Sequence, residues 1–140
     1  MNKSALLDQL KRHEGFVGYA YTDHLGYLTI GYGRLIDGER GGRITETEAS
    51  LLLNNDVDRV IDALSDKLPR LHKHPDSVQN ALINMAFQLG ISGLLNFTNM
   101  LSALERYDYN TAADEALDSL WAQQTPERAR EVSSMIRSGG

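Results

Sequence analysis

Three residues near the N-terminus have the types and the spacing that acid–base chemistry requires. Glu14 precedes a glycine at the end of a helical pattern, Asp23 lies in the polar turn DHLG, and Thr29 follows six residues later. The negative end of a helix favours a protonated carboxyl, which a general acid needs, whereas a carboxyl in a polar turn stays ionised. Two carboxyl groups in such different surroundings are typical of glycosidic-bond cleavage.

A structural role for the same residues is also open at this point. Glutamate before glycine is ordinary at a helix end, and aspartate is ordinary in a hairpin turn. In the catalytic interpretation, Asp23 and Thr29 together position a water molecule. The tyrosines and glycines of the same stretch would then form a platform for a sugar and leave room for it to approach the backbone. Spacing alone does not decide between the two interpretations.

The elements that would hold these residues follow from hydrophobic periodicity. Leucines at helical spacing behind Ser4 predict a short first helix that ends at Gly15. From Phe16 to Ile36 the pattern changes to aromatic and β-branched residues between glycines, which predicts a small antiparallel sheet. A turn at residues 23–26 separates its first two strands.

The rest of the chain is predicted to be helical. Thr45 and Glu48 form a capping-box signature at the start of a long helix. Pro69 to Pro75 interrupts the pattern and is predicted as a hinge between two lobes. Further helices are predicted from Asp76 to Gly90, within 91–106, over 110–121, and from Pro126 to a stop at Gly139. A sheet followed by a run of helices predicts an α+β fold, with a ligand cleft between the two parts.

Composition narrows the class of protein. A chain of 140 residues is the size of one domain, and it has no cysteine for a disulfide or a thiolate metal site. A net charge of −5 argues against non-specific nucleic-acid binding. The N-terminus lacks the apolar run of a signal peptide or membrane span, so we expect a soluble protein made in the cytosol. His72 and His74 are expected in an exposed loop rather than at a metal site, and we predict no metal and no cofactor.

The motifs of the opening stretch resemble those of the phage lysozyme family, the muramidases similar to the T-even bacteriophage endolysin. The resemblance rests on HEG, the nine-residue step from Glu14 to Asp23, and the segment GYLTIGYG. It continues in order through ITETEA, NNDVD, ALINMAFQLG, FTNML and WAQQTPERA. The similarity therefore covers most of the chain.

This resemblance implies a fold and an activity. The fold would be a single lysozyme-like domain over residues 1–140, with a sheet lobe at about 14–60 and a helical lobe at about 70–140 that includes the first helix. The activity would be hydrolysis of the β-1,4 bond between N-acetylmuramic acid and N-acetylglucosamine in peptidoglycan, which lyses the host cell. Glu14 would be the general acid, and Asp23 with Thr29 would activate or orient the water. Inversion at the anomeric carbon would need the two carboxyl groups about 6.5–9.5 Å apart.

The resemblance also implies a saccharide cleft and a supporting cation. The substrate-binding residues would be Leu35, Phe87, Met100 and Glu115. Met100 and Glu115 depart from the small or neutral polar residues of the T-even protein. Arg128 aligns with an arginine that faces the catalytic glutamate, where a guanidinium would oppose the helix-end effect.

Partners and location are implied in the same way. The partner would be the glycan strands of peptidoglycan, with no nucleic acid and no membrane insertion, and the protein is expected to be a monomer. It would stay in the host cytoplasm until a holin or a secretion route releases it to the wall in the periplasm. Two alternatives are a lytic transglycosylase, which Asp23 and Thr29 disfavour, and an inactive wall-binding module, which the complete set of Glu14, Asp23 and Thr29 disfavours.

Overall fold

A computed structural model describes the whole chain, Met1 to Gly140, as two compact units, Met1–Leu51 and Leu52–Gly140. The helices are α1 (Lys3–Glu14), α2 (Glu46–Lys67), α3 (Asp76–Leu95), α4 (Thr98–Glu105), α5 (Tyr109–Leu117), α6 (Leu120–Gln124) and α7 (Pro126–Arg137). The strands are β1 (Val17–Thr22), β2 (Leu28–Gly31) and β3 (Arg34–Leu35). One small antiparallel sheet and many helices confirm the predicted α+β class.

The first helix begins two residues earlier than its Ser4 signal suggested. The Asn2 side chain caps α1 by accepting a hydrogen bond from the Ala5 N–H at 3.0 Å. The helix ends at Glu14 because Gly15 adopts a φ of 70°, and the Gly15 N–H donates to the Lys11 carbonyl. Glu14 is therefore the last helical residue, as predicted.

The sheet has the order β1-β2-β3 with β2 in the centre. Thr29 of β2 pairs with Tyr21 on one side and Leu35 on the other. Thr29 is also the only buried residue of Met1–Leu51, at 2% exposed. The central strand therefore fixes the backbone of Thr29 from both edges.

The predicted capping box at the start of α2 is present. The Thr45 N–H donates to the Glu48 carboxylate at 2.9 Å, and the Glu48 N–H donates to the Thr45 hydroxyl at 3.2 Å. Arg34 pairs with Glu48 at 2.8 Å and also donates to the Arg43 carbonyl. The hydrogen bonds from Thr45 and then the Arg34 guanidinium lower the pKa of Glu48. The boundary between the two units falls inside this helix, after Leu51.

The unit Leu52–Gly140 has a continuous apolar core. Helix α5 packs against α4 and α7, and α3 packs against α7. Gly90 interrupts α3 with a φ of 78° and a ψ of 164°, at the position predicted for a helix end. The largest fully buried apolar side chains are those of Leu64, Leu71, Leu82, Met85, Leu94, Met100 and Ile136. No helix taken singly is long and apolar enough to cross a membrane, although α3 and α4, bent by 95° at their junction, reach that length and composition together.

The segment Pro69–Pro75, predicted as a hinge between two lobes, interrupts the helical pattern between α2 and α3. This segment lies within the unit Leu52–Gly140, where Leu71 is 1% exposed and His74 is 9% exposed. His74, expected in an exposed loop, is instead held by a 2.9 Å hydrogen bond between its Nδ1 and the Tyr109 hydroxyl. Burial lowers the pKa of His74 because desolvation disfavours the imidazolium.

The two units also divide the chain differently from the expected lobes. Helix α1 groups with the sheet, whereas we expected it with the helical part, and the division comes after Leu51 rather than near residue 60. The cleft between the lobes stays a prediction.

Candidate active site

Glu14 lies against the turn that joins β2 to β3. Gly33 in that turn has a φ of 73°, and a Cβ built on it would lie 2.5 Å from Glu14 Oε2. Any side chain at position 33 would therefore meet the Glu14 carboxyl group. Within Met1–Leu51 this carboxyl forms no hydrogen bond, so its oxygens are free to contact a substrate.

Asp23 follows β1 and closes the turn to β2. Its Oδ1 accepts hydrogen bonds from the Leu25 N–H at 2.9 Å and the Tyr27 N–H at 2.8 Å. The Asp23 N–H donates to the Tyr27 carbonyl at 2.8 Å, which closes the turn from the backbone side. One carboxylate oxygen is thus fixed by the turn, and Oδ2 has no hydrogen-bond partner and can accept one from a water molecule.

Thr29 lies on the central strand close to the same turn. Its hydroxyl donates to the Tyr27 carbonyl at 2.9 Å. Since the proton is used in this bond, the lone pairs of Oγ1 remain available to accept a hydrogen bond. Backbone groups within residues 23–27 therefore orient both the Asp23 carboxylate and the Thr29 hydroxyl.

Strand β2 separates the two carboxyl positions along the sheet. Asp23 is anchored before the strand at Tyr27, and Glu14 meets Gly33, beyond its end at Gly31. Four residues of antiparallel strand span about 10 Å. The arrangement brings a carboxylate with a free oxygen and an unpaired carboxyl group to opposite ends of one short strand.

Leu35 and Gly33 line a shallow pocket of about 380 Å³ in the same unit. Arginine side chains also line it, at positions 34, 40 and 43. Arg34 is paired with Glu48, and the Arg40 guanidinium lies over the Tyr27 ring at 4.2 Å from its centroid. The lining of this pocket thus contains three arginines and no acidic residue, although the whole chain carries a net charge of −5.

The predicted substrate-binding residues of the helical unit lie in different surroundings. Phe87 is 44% exposed and lines a pocket with Asp56, Arg59 and Ile91. Met100 is 1% exposed and belongs to the apolar core, so its side chain has almost no surface to offer a saccharide.

Glu115 lines a separate pocket of about 380 Å³. Carboxyl, amide, hydroxyl and aromatic groups form its walls, from Asn96, Phe97, Thr98, Asn99, Asp118, Ser119, Trp121 and Gln124. The Phe97 and Trp121 rings meet edge to face with centroids 5.9 Å apart, and Trp121 donates to Gln88 at 2.9 Å. Aromatic faces with amides and carboxylates are suited to binding a sugar or a peptide.

Arg128 is positioned by Asn84. The Arg128 Nε donates to Asn84 Oδ1 at 2.9 Å, and its Nη2 donates to the Asn84 carbonyl at 3.3 Å. A guanidinium held at two points keeps a defined direction. The prediction that Arg128 faces Glu14 stays a prediction.

Comparison with known proteins identifies the family. A family model described as "Phage lysozyme" matches residues 11–136. The chain is 30% identical to "Probable T4-type lysozyme 1" of Dictyostelium discoideum, over 97% of this chain and 95% of that protein. The chain belongs to the phage lysozyme family.

Two further relatives are phage proteins. "Endolysin" of Salmonella phage P22 is 36% identical over 82% of this chain and 79% of that protein. "Pre-baseplate central spike protein Gp5" of Enterobacteria phage T4 is 34% identical over 96% of this chain, which spans 28% of that protein. The lysozyme-like resemblance read from the sequence motifs is confirmed.

Sequence analysis missed two features of this candidate site. It gave Gly33 no role of its own, whereas the missing side chain at this position makes room for the Glu14 carboxyl. It also gave Asn84 no role, although Asn84 holds Arg128 from 44 residues away. The sequence shows the second glycine of the GYG segment, but it does not show that this glycine contacts Glu14.

Proposed function

We propose that this phage lysozyme family member is a muramidase with Glu14, Asp23 and Thr29 as its catalytic residues. It hydrolyses the β-1,4 bond between N-acetylmuramic acid and N-acetylglucosamine in peptidoglycan and so lyses the host cell. The observation that carries the proposal is the pair of differently held carboxyl groups. Glu14 is unpaired against Gly33, and Asp23 has one oxygen fixed by backbone and one oxygen free.

In the proposed reaction, the Glu14 carboxyl donates its proton to the glycosidic oxygen as the bond from that oxygen to the anomeric carbon breaks. A water molecule attacks the anomeric carbon from the opposite face, and Asp23 Oδ2 takes one of its protons. The Thr29 hydroxyl oxygen accepts a hydrogen bond from the same water. Atoms balance because one water is consumed and one new reducing end is formed.

Inversion of the anomeric centre is the finer part of the proposal. A direct attack by water needs carboxyl groups about 6.5–9.5 Å apart, while a covalent route needs about 5–5.5 Å. The two backbone anchors, Tyr27 and Gly33, lie beyond opposite ends of the four-residue strand β2, which supports the longer separation. Asp23 also accepts two backbone hydrogen bonds, which restrain its approach to the sugar as a nucleophile.

Substrate contacts are proposed at both units. Leu35 beside Gly33, the exposed Phe87 and the Glu115 pocket would contact the glycan chain and its peptides. Arg128 would support Glu14 from the helical unit. Met100 is a weaker candidate because its side chain belongs to the core.

The route to the wall is proposed from the relatives. As an endolysin, the protein would act as a monomer, stay in the host cytoplasm until a holin or a secretion route releases it, and act on the wall in the periplasm. The likeness to a spike protein supports a tail-associated use of the same domain as the alternative.

The proposal is tested by two isosteric variants with a matched control. We expect Glu14→Gln to lower the hydrolysis of purified peptidoglycan by about 10²–10⁴-fold and to leave the melting temperature unchanged, because it removes the proton donor alone. Asp23→Asn is expected to lower activity severely. Glu39→Gln, at an exposed glutamate outside this set, should retain full activity.

Full activity of Glu14→Gln on permeabilised cells would reject the assignment. Products carrying a 1,6-anhydro end would favour the lytic transglycosylase. Wall binding without any soluble product from the native protein would favour an inactive binding module.

A further inference from the structure

A pocket of about 330 Å³ lies within the helical unit and contains none of the candidate catalytic residues. Its floor is apolar and well packed, because Leu71, Leu82 and Leu104 are each no more than 3% exposed. Its rim carries charge and one aromatic ring, from Lys67, Arg70, Glu105 and Tyr107. A volume near 300 Å³ is at the lower end of natural small-molecule sites and holds about ten non-hydrogen atoms.

One buried polar group lines this pocket without a complete set of partners. His74 is 9% exposed, and its Nδ1 is bonded to the Tyr109 hydroxyl at 2.9 Å. Its Nε2 forms no hydrogen bond within the protein, yet it is not sealed from the surface. Buried ring nitrogens normally have a partner, so an unsatisfied one on a pocket wall indicates a ligand group or a water molecule there.

The ring of Tyr107 is held at the rim by an unfavourable backbone conformation. Tyr107 has a φ of 57°, and no other non-glycine residue of the chain has a positive φ. Its ring centroid lies 5.4 Å from that of His74. A tyrosine in this conformation costs on the order of 1 kcal/mol, which glycine would avoid. The retained ring therefore covers one side of His74 and shapes the pocket mouth.

The charges at the rim favour a negative ligand group. Lys67 and Arg70 form no ion pair, since the three ion pairs of the chain use other residues. Burial keeps His74 neutral near pH 7 by lowering its pKa, so that the ring offers a hydrogen bond and not a charge. Glu105 is the single acidic group of the lining, which leaves one net positive charge at the rim.

We propose that this pocket binds a small amphipathic carboxylate, a medium-chain acyl anion whose tail lies on the leucine floor. Its carboxylate lies between Lys67 and Arg70 and accepts a hydrogen bond from the His74 Nε2–H. The site is independent of the proposed muramidase reaction, because no residue of the set Glu14, Asp23 and Thr29 takes part in it.

The proposal is tested with octanoate as the probe and the full chain as the receptor. Titration followed by heteronuclear NMR should give saturable shifts centred on residues 67–74, 101–107 and the His74 ring. The double variant Lys67→Gln and Arg70→Gln should bind octanoate at least tenfold more weakly. A matched double variant, Lys73→Gln and Arg130→Gln, removes the same charge outside the lining and should bind it as the native chain does.

Two further experiments test the charge and the apolar tail of the ligand separately. Octylamine has the same tail and the opposite charge, and it should bind at least tenfold more weakly than octanoate. Leu101→Trp fills the pocket from a half-buried position and should abolish binding while the charged rim remains. Absence of saturable shifts, equal binding of octylamine, or octanoate affinity unchanged by the Lys67 and Arg70 substitutions would each overturn the proposal.

Discussion

The two units of this protein use different means to hold their side chains in place. In Met1–Leu51 only Thr29 is buried, and the candidate catalytic groups are fixed by turns, strand pairing and backbone hydrogen bonds. In Leu52–Gly140 a continuous core of leucine, methionine, alanine and aromatic side chains fixes the helices. The candidate catalytic groups are therefore oriented by short-range hydrogen bonds, whereas most of the buried apolar side chains lie in Leu52–Gly140.

This contrast predicts that substitutions in the two units have different consequences. Changes in the turns of the sheet should alter activity with little loss of stability, because few apolar contacts are removed there. Changes in the helical core should lower the free energy of unfolding and leave the activity of each folded molecule intact.

The largest expected effect concerns the core and can be measured on one helix. Leu64 is 0% exposed and Leu52 is 52% exposed, and both belong to α2. We expect Leu64→Ala to lower the free energy of unfolding by about 2–5 kcal/mol through the lost burial and the cavity left behind. Leu52→Ala should lower it by about 1 kcal/mol or less. Urea denaturation of both variants measures the difference, and equal losses would contradict the core described here.

The next effect concerns the contact between Gly33 and Glu14. Gly33 and Gly31 have nearly equal φ values, 73° and 71°, but a Cβ at position 31 would meet nothing within 4 Å. Both alanine variants should therefore share the same backbone strain, while only Gly33→Ala displaces the candidate acid. We expect about 10²-fold lower kcat for Gly33→Ala than for Gly31→Ala, since a displacement near 1 Å can cost that much.

Steady-state assays and melting curves of the two glycine variants separate the outcomes. Similar melting temperatures with unequal kcat would support Gly33 as a positioning residue for Glu14. Equal kcat values would show that the close approach does not matter to the reaction.

A smaller effect is expected at Thr29. This residue of Met1–Leu51 is buried, as the core residues of Leu52–Gly140 are. Thr29→Ala removes a hydroxyl that bonds the Tyr27 carbonyl, which should cost about 1 kcal/mol of stability. We expect activity to fall by more, about tenfold or greater, because the proposed water also loses a partner. Thr29→Ser keeps the hydroxyl and should recover most of the activity. Losses of activity and stability that match in both variants would make Thr29 a structural residue.

The smallest effect is a pH dependence in the helical unit. Burial lowers the pKa of His74, so between that lowered value and about 6.5 the unfolded chain binds a proton more readily than the folded one. Stability is therefore unaffected above about pH 6.5 and falls as the pH drops below it. Urea unfolding at pH 7.5 and 5.5 should show a smaller pH-dependent loss for His74→Gln than for the native chain. His24→Gln, at an exposed turn, is the control, and an equal loss in all three would exclude His74 as the cause.

The features predicted correctly from the sequence depend on residues close together in the chain. The capping box depends on Thr45 and Glu48, which are three residues apart, and the break in α3 depends on Gly90 alone. Residues two apart on a helix face different sides, and in α3 Met85 is buried while Phe87 is exposed. Local periodicity determines all three outcomes.

The features that were missed depend on residues far apart in the chain. His74 is buried because its ring meets Tyr109, 35 residues later, and the local sequence pattern does not report this contact. The space for Glu14 beside Gly33 depends on how α1 enters the sheet, which no spacing reports. Proline and histidine near a helix end indicated a loop but not what would pack on it.

The central claim is that Glu14 and Asp23 act on opposite faces of one sugar ring with a water molecule beside Asp23. It is tested most directly by proton NMR of the reducing end formed in the first minutes of digestion of a defined glycan substrate. We expect the α-anomer of N-acetylmuramic acid to appear first and then to mutarotate, because direct attack by water inverts a β linkage. Initial release of the β-anomer, or of a 1,6-anhydro product, would contradict it.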